Sequence, residues 1–361
     1  MVRFGHRARG ATRQARSLNA ASPSALHRRL RAATLGGRIA CPLTISDDVS
    51  PRLPDSSSVS PFVPGGRLMR TSCCLFLLAA VVPARGAESA EGDSDQPTVP
   101  QAVIPLFNGR DLNGWSPWLV DTKQQDPRGV YTVRDGMIRI SGDGFGYLST
   151  TRAYKDYRLR AEVKWGTLNH RTRVGMARDS GIFLHSVGPD GNSYDCGWGS
   201  HQRNTGSDVS NGAYKAAVEC QVMEGGFGDI LLIDGRYADG RHVPVRAAAH
   251  AVERRVDADY AKYQFDLNAN ELELTAAAIA WLGKDTAWQD RPGFRGRHDV
   301  ESPVGQWTRI ECVCAGDRLT VFVNGRRVNE AHGLFPAAGK ILLQCEGSEV
   351  FFRNLELQPL K

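Results

Sequence analysis

No stretch of this 361-residue chain is apolar for long enough to cross a bilayer as a helix, which takes about 20 residues. The sequence also lacks a glycine-rich phosphate loop, a G-x-S-x-G elbow and an H-E-x-x-H pair. Those absences remove the usual signatures of phosphate-loop nucleotide hydrolysis, serine esterases of the α/β type and zinc proteolysis. Cysteine is scarce, with eight in all. The five that follow the first hundred residues are Cys196, Cys220, Cys312, Cys314 and Cys345. An odd number leaves at least one thiol without a partner in its own chain. Cys312 and Cys314 alternate on one strand face, and a C-x-C without a second pair or a nearby histidine is a poor zinc signature. They read as small buried apolar residues.

Charge of one sign is also unevenly missing. Residues 1–70 contain 12 Arg, no Lys and only three acids, Asp47, Asp48 and Asp55. The formal charge of +6 therefore belongs to that segment, and the remainder carries 33 basic against 36 acidic residues. The folded part is not a polycation and shows no basic stripe interleaved with aromatics, so no nucleic-acid partner is expected.

Residues 69–86 read as a secretory signal. Met69-Arg70 is a short basic start, Cys73 to Val82 is apolar, and Ala84 and Gly86 are small enough for cleavage. A signal belongs at a start, so Met69 is the expected first residue and 1–68 an upstream extension. The polar stretch 87–101 reads as a linker. These features predict a secreted or periplasmic protein with no transmembrane segment in its mature form.

From Ala102 onward the pattern is β. Val130 to Val133 and Met137 to Ile140 flank Asp135-Gly136, a favoured two-residue hairpin turn. Tyr157 to Trp165 alternates large apolar and charged residues, as a half-buried strand does. Asn324-Gly325 marks another hairpin. Residues 235–304 are irregular and rich in Arg, Asp, Gly and Trp, and read as a long loop-rich insertion. About a dozen short strands with turn signals between them point to an all-β, two-sheet sandwich.

Two clusters could carry chemistry. The first is Glu219-Cys220-Gln221-Val222-Met223-Glu224-Gly225-Gly226. Val218, Cys220 and Val222 form an apolar face, which sends Glu219 and Gln221 to the other; that face is a binding wall if concave and merely solvated if convex. Glu224 is five residues on and needs a bulge to join them. The second cluster is Arg178-Asp179-Ser180-Gly181-Ile182-Phe183-Leu184-His185. A glycine inside a strand often marks a close approach of ligand or backbone. Alternation puts Asp179, Gly181, Phe183 and His185 on one face. His185 reads equally as an acid or base and as a strand-end histidine bonded to a carbonyl. Arg178 and Asp179 read as an ion pair or as a clamp on substrate. Trp198, in a Gly-rich aromatic loop, either stacks on a sugar or pins the loop.

Taken in order, these residues resemble the 3-keto-disaccharide hydrolase domain over residues 103–360. The resemblance rests on Ile104-Pro105-Leu106-Phe107-Asn108-Gly109-Arg110-Asp111-Leu112-Asn113-Gly114-Trp115, on Asp179 to Phe183, on Glu219 to Glu224, and on Gly305-Gln306-Trp307, Val323-Asn324-Gly325 and Phe351 to Leu355. It implies a concanavalin A-like jelly roll acting on glycosides already oxidised at C3, with a carbohydrate as partner. Two features depart from that pattern: His185 replaces a residue that is usually Arg, and 235–304 is long. A C3 ketone acidifies the C2 proton, so a base can start an elimination that expels the C1 substituent, and water then adds. The expected roles are Glu219 as base, Glu224 or His185 as acid, and Gln221 and Arg178 as holders of hydroxyls or of the enolate oxygen. A divalent metal would also stabilise an enolate, but the sequence offers no ligand set for it. Two other expectations stand beside this one. E-x-Q-x-x-E is similar to the E-x-D-x-x-E of laminarinase-type glucanases, with Gln221 in place of the central acid. A non-catalytic, lectin-like carbohydrate-binding module is the other.

Overall fold

The structure is a computed structural model that describes residues 96–170, 173–193, 212–254 and 260–361. The signal, the upstream extension, Cys196 and Trp198 lie outside the described residues. The described chain is all β, as expected, and forms a two-sheet jelly-roll sandwich.

One sheet runs β3 (Tyr131–Arg134), β4 (Met137–Ile140), β20 (Ser348–Pro359), β6 (Tyr157–Asn169), β16 (Thr308–Ala315), β17 (Arg318–Val323) and β18 (Arg326–Phe335). The short β1 (Ile104–Pro105) pairs with the far end of β20. The other sheet runs β2 (Trp115–Leu119), β5 (Phe145–Thr150), β19 (Lys340–Glu346), β7 (Asp179–Val187), β8 (Ala216–Met223) and β9 (Ile230–Ile233). Both predicted hairpin turns form. Asp135-Gly136 and Asn324-Gly325 have φ of 49° and 73°, and of 49° and 79°, the positive pair that a type I′ turn requires.

Residues 235–304 are loop-rich, as expected, and add short strands that the sequence did not mark. They hold β10 (Gly235–Arg236), β11 (His242–Val243), β12 (Arg246–Glu253), β13 (Tyr263–Phe265), β14 (Glu271–Thr275) and β15 (Ala278–Ala280). β15 extends the second sheet beyond β9, β13 follows it, and β12 then links to β18 of the first sheet. These strands are short, and β12 reads Arg-Ala-Ala-Ala-His-Ala-Val-Glu. Alanine has low β propensity, so pairing with neighbours rather than local preference makes this segment a strand.

The main core lies between the sheets. It is built from the apolar faces of β7 and β8 (Ile182, Leu184, Val218, Cys220, Val222) against β6, β16 and β20 (Leu159, Val163, Ile310, Cys312, Phe352). Each such side chain contributes about 1.5–3 kcal/mol when fully buried. Cys220, Cys312, Cys314 and Cys345 are buried free thiols, in keeping with the apolar role read from their spacing.

Candidate active site

The core-facing set on β8 settles where its other side chains go. Val218, Cys220 and Val222 belong to the inter-sheet core, so Glu219 and Gln221 stand on the opposite, outer face of the second sheet. Pairing is regular along β7 and β8 from Asp179↔Met223 to Leu184↔Val218, with Gly181 opposite Gln221 and Phe183 opposite Glu219. That outer face carries a second apolar cluster of Trp118, Phe145, Tyr147, Phe183, Ala217, Leu231 and Leu342, overlaid by Ala213 and Tyr214. Glu219 and Gln221 are therefore buried polar groups in a covered wall, only 1% and 4% exposed.

Gly181 is where the wall opens for a carboxyl group. A Cβ there would lie 1.9 Å from Glu219 Oε1 and 3.1 Å from Gln344 Oε1. Any other residue would occupy the position that the Glu219 carboxyl fills. Around it stand Asp179, Glu346 and Gln344, all on strands next to β8 or one strand further. Arg173 gathers this group. Its Nη2 donates to Asp179 Oδ2 and lies 3.7 Å from Glu346 Oε1, while its Nη1 donates to Asp290 at 3.0 Å. Gln344 Nε2 donates to Glu346 Oε2 at 2.6 Å. The Asp179 amide donates to Ser348 Oγ at 3.0 Å, which pins the start of β7.

Among the described residues, Glu219 Oε1, Asp179 Oδ1 and Gln344 Oε1 are buried without a hydrogen-bond partner. Burial, then the nearby charges of Glu346 and Asp179, hold the Glu219 carboxyl well above the usual carboxylate range. Burial raises Glu346 too, with Arg173 opposing. Burial also holds Asp179 well above the usual carboxylate range, with the Arg173 guanidinium in direct contact opposing the shift. Perturbed carboxyls of this kind concentrate where proton transfer is done.

Three expected site residues are placed elsewhere. Glu224 falls one residue beyond the end of β8 without any bulge to turn it inward. Its Oε1 accepts from Arg178 Nη1 at 2.6 Å, and its Oε2 accepts from the amides of Arg178 and Gly293 at 3.0 and 3.2 Å. Glu224 and Arg178 thus satisfy each other at a strand end, and the expected Arg178–Asp179 pairing does not form. His185 follows a break in the β7 register and has φ of 56°. The alternation that would keep it beside Phe183 ends there. Its ring meets Tyr157 of the inter-sheet core edge-on at 5.6 Å, and its Nδ1 lies 3.3 Å from the Pro336 carbonyl oxygen. Burial lowers its pKa to about 4.

The segment 235–304 braces the turn that follows β8. Trp288 Nε1 donates to the Glu224 carbonyl at 2.9 Å and Trp281 Nε1 to that of Gly225 at 3.1 Å. Asp229 and Lys284, both fully buried, pair at 2.6 Å beneath Tyr260. Trp281 and Trp288 are pillars of this turn, not open stacking platforms.

Four residues of the site escape the sequence reading: Arg173, Asp290, Gln344 and Glu346. For two of them a signal exists, because Gln344 and Glu346 alternate with Leu343 and Cys345 as Glu219 and Gln221 do with their neighbours. Arg173 and Asp290 sit in loops that no spacing marks. Among the described residues, no group of three His, Cys, Asp or Glu side chains is arranged to hold a metal ion.

Residues 102–358 match a family described as the 3-keto-alpha-glucoside-1,2-lyase-like domain. The chain belongs to this family. It is thereby a carbohydrate-active protein on a jelly-roll fold. Solved structures similar to it include a glycosyl hydrolase candidate from Parabacteroides distasonis, 16% identical, covering 72% of this chain and 94% of that one at a TM-score of 0.38. A carbohydrate-binding module from Bacillus subtilis is 11% identical over 67% of this chain and 94% of its own, with a TM-score of 0.34. A Bacillus licheniformis beta-glucanase is 10% identical over 72% and 99%, at 0.33. No curated protein matches the chain.

Proposed function

We propose that this protein cleaves glycosides that carry a ketone at C3, by elimination followed by hydration. The observation that carries the proposal is the Glu219 carboxyl, set over Gly181 in a covered wall with one oxygen unpartnered and Asp179 beside it. Membership of a family described as 3-keto-alpha-glucoside-1,2-lyase-like supports the choice of substrate class.

A carboxylate takes the C2 proton, which the ketone acidifies, and the electron pair forms an enolate. The C1–O1 bond then breaks with its electrons passing to O1, and a carboxylic acid gives O1 a proton. The product is a sugar unsaturated between C1 and C2 and conjugated with the ketone. Water adds its hydroxyl to C1 and a proton to C2, so the net change is hydrolysis. Two carboxyl groups with free oxygens, Asp179 and Glu219, supply the proton acceptor and donor. The Gln221 amide is a donor for the developing enolate oxygen. No metal enters this scheme.

Glu224 argues against the glucanase reading, since Arg178 and two backbone amides occupy its oxygens. We also propose that the protein acts outside the cytoplasm, where its signal-like segment would send it. The test is turnover of 3-keto and unmodified disaccharides by the purified protein, with product analysis. Cleavage restricted to the keto substrate is the expected result. Binding of sugars with no product from either would refute catalysis in favour of a recognition module.

A further inference from the structure

The two unpartnered oxygens over Gly181 belong to different side chains, and one of them is fixed in identity. The Gln344 amide nitrogen donates to Glu346 Oε2 at 2.6 Å. With Arg173 3.7 Å from its other oxygen, Glu346 is taken as ionised, and a carboxylate can only accept, so the amide end facing it is the nitrogen. The other end of the amide, turned toward Gly181, is therefore a carbonyl oxygen. Glu219 Oε1 shares the same space. Both oxygens are buried, and among the described residues neither has a donor.

Two buried acceptors facing one space without a donor between them is an unfavourable arrangement, because each has lost water and gained no hydrogen bond in exchange. A proton on Glu219 removes it, because the carboxyl becomes a donor and Gln344 its acceptor. The surroundings point the same way. Facing Glu219 are Asp179 on β7, Gln344 and Glu346 on β19, Leu231 on β9 and Tyr214 before β8. Arg173, the cation of this cluster, is in contact with Asp179, Asp290 and Glu346. Asp179 thus has a guanidinium against it, and among the described residues Glu219 has none.

We propose that Glu219 carries a proton in the resting protein and that Gln344 is the positioning residue that orients it. This rests on the proposed reaction for its consequence. Glu219 becomes the acid that protonates the departing O1, and Asp179, held by Arg173, becomes the base at C2. Glu219, expected from the sequence to be the base, is thereby the acid, and the base is Asp179, which the sequence marked only as an ion-pair or clamp residue. Burial shifts both carboxyls upward, and of the two only Asp179 has the Arg173 guanidinium opposing the shift.

The test is infrared difference spectroscopy on the full chain at neutral pH, wild type minus Glu219→Gln. The expected result is a protonated-carboxyl C=O band in the wild type that the substitution removes. Loss of no such band would overturn the proposal; an ionised Glu219 bridged to Gln344 by water would give that outcome. Gln344→Met should move the band to higher wavenumber, because its acceptor is gone. Losing a hydrogen bond made to the neutral form also lowers the pKa, so the alkaline limb of the activity profile should fall by about one pH unit. A band that does not move would overturn the part assigned to Gln344. Should Gln344→Met fail to fold, titration of the wild-type band serves instead, and it should persist well above the ordinary carboxyl range. A band with no turnover of keto substrates would refute the assigned reaction and leave the proton in place. Turnover without the band would refute only this inference.

Discussion

Glu219 fills the space that a side chain on Gly181 would need: a Cβ there would stand 1.9 Å from Glu219 Oε1. Glycine and carboxyl are thus two halves of one arrangement on adjacent strands. Gly181→Ala should keep the fold, since an extended strand accepts alanine and the entropy cost of glycine is relieved. It should push the carboxyl aside and lower turnover by about 100-fold, the usual penalty for a displacement near 1 Å. Steady-state kinetics beside a thermal melt checks this. An active Gly181→Ala protein would show that the carboxyl position is not needed.

Glu224→Gln should act on stability. The Arg178–Glu224 pair is a strand-end clasp with Glu224 fully buried. Breaking a buried pair from one side costs about 3–5 kcal/mol, less here because Arg178 keeps some exposure. Denaturant unfolding should report a clear loss, while kcat of the remaining folded protein stays within a few-fold of wild type. A large loss of kcat with unchanged stability would return Glu224 to the chemistry.

The sandwich was legible in the sequence because period-two alternation and Asp-Gly and Asn-Gly turns are local signals. The same alternation put Glu219 and Gln221 opposite the core-facing Val218, Cys220 and Val222. It failed for His185, where a register break with positive φ rotates one residue off the pattern, and for Glu224, where the strand ends first. Arg173 and Asp290 were not legible at all, since they meet Asp179 only through the closure of distant loops. The strands of 235–304 were hidden by their brevity and alanine content, which give no periodic signal.

His185 predicts a pH effect on stability. Its folded-state pKa of about 4 lies below the ordinary histidine value of 6.5, so the unfolded chain binds the proton first. The stability it contributes is complete above about pH 6.5 and is lost as pH falls toward about 4, on the order of 2 kcal/mol by pH 5. His185→Asn tolerates the same backbone conformation and should flatten that slope between pH 7 and 5 in unfolding titrations. Because the ring faces Tyr157 in the core, the pH profile of turnover should be unchanged.

Lys284→Met should destabilise the protein by about 3–5 kcal/mol, because it removes the ammonium paired with the buried Asp229 carboxylate. The double substitution Asp229→Asn with Lys284→Met should recover part of that loss, since no charge then remains buried there. Chemical denaturation of both variants decides it. A double variant no more stable than the single one would mean that the pair itself, not the stranded charge, holds the turn after β8.

The most direct test of the account is the rate of 3-keto-disaccharide cleavage by the wild type and by Glu219→Gln, each shown to be folded by circular dichroism. A glutamine can neither give nor take the proton, and general acid–base contributions are typically about 100- to 10,000-fold. With Glu219 as the proton carrier, the wild type should cleave the substrate and the variant should lose activity by that factor. Near wild-type cleavage by a folded Glu219→Gln protein would contradict it.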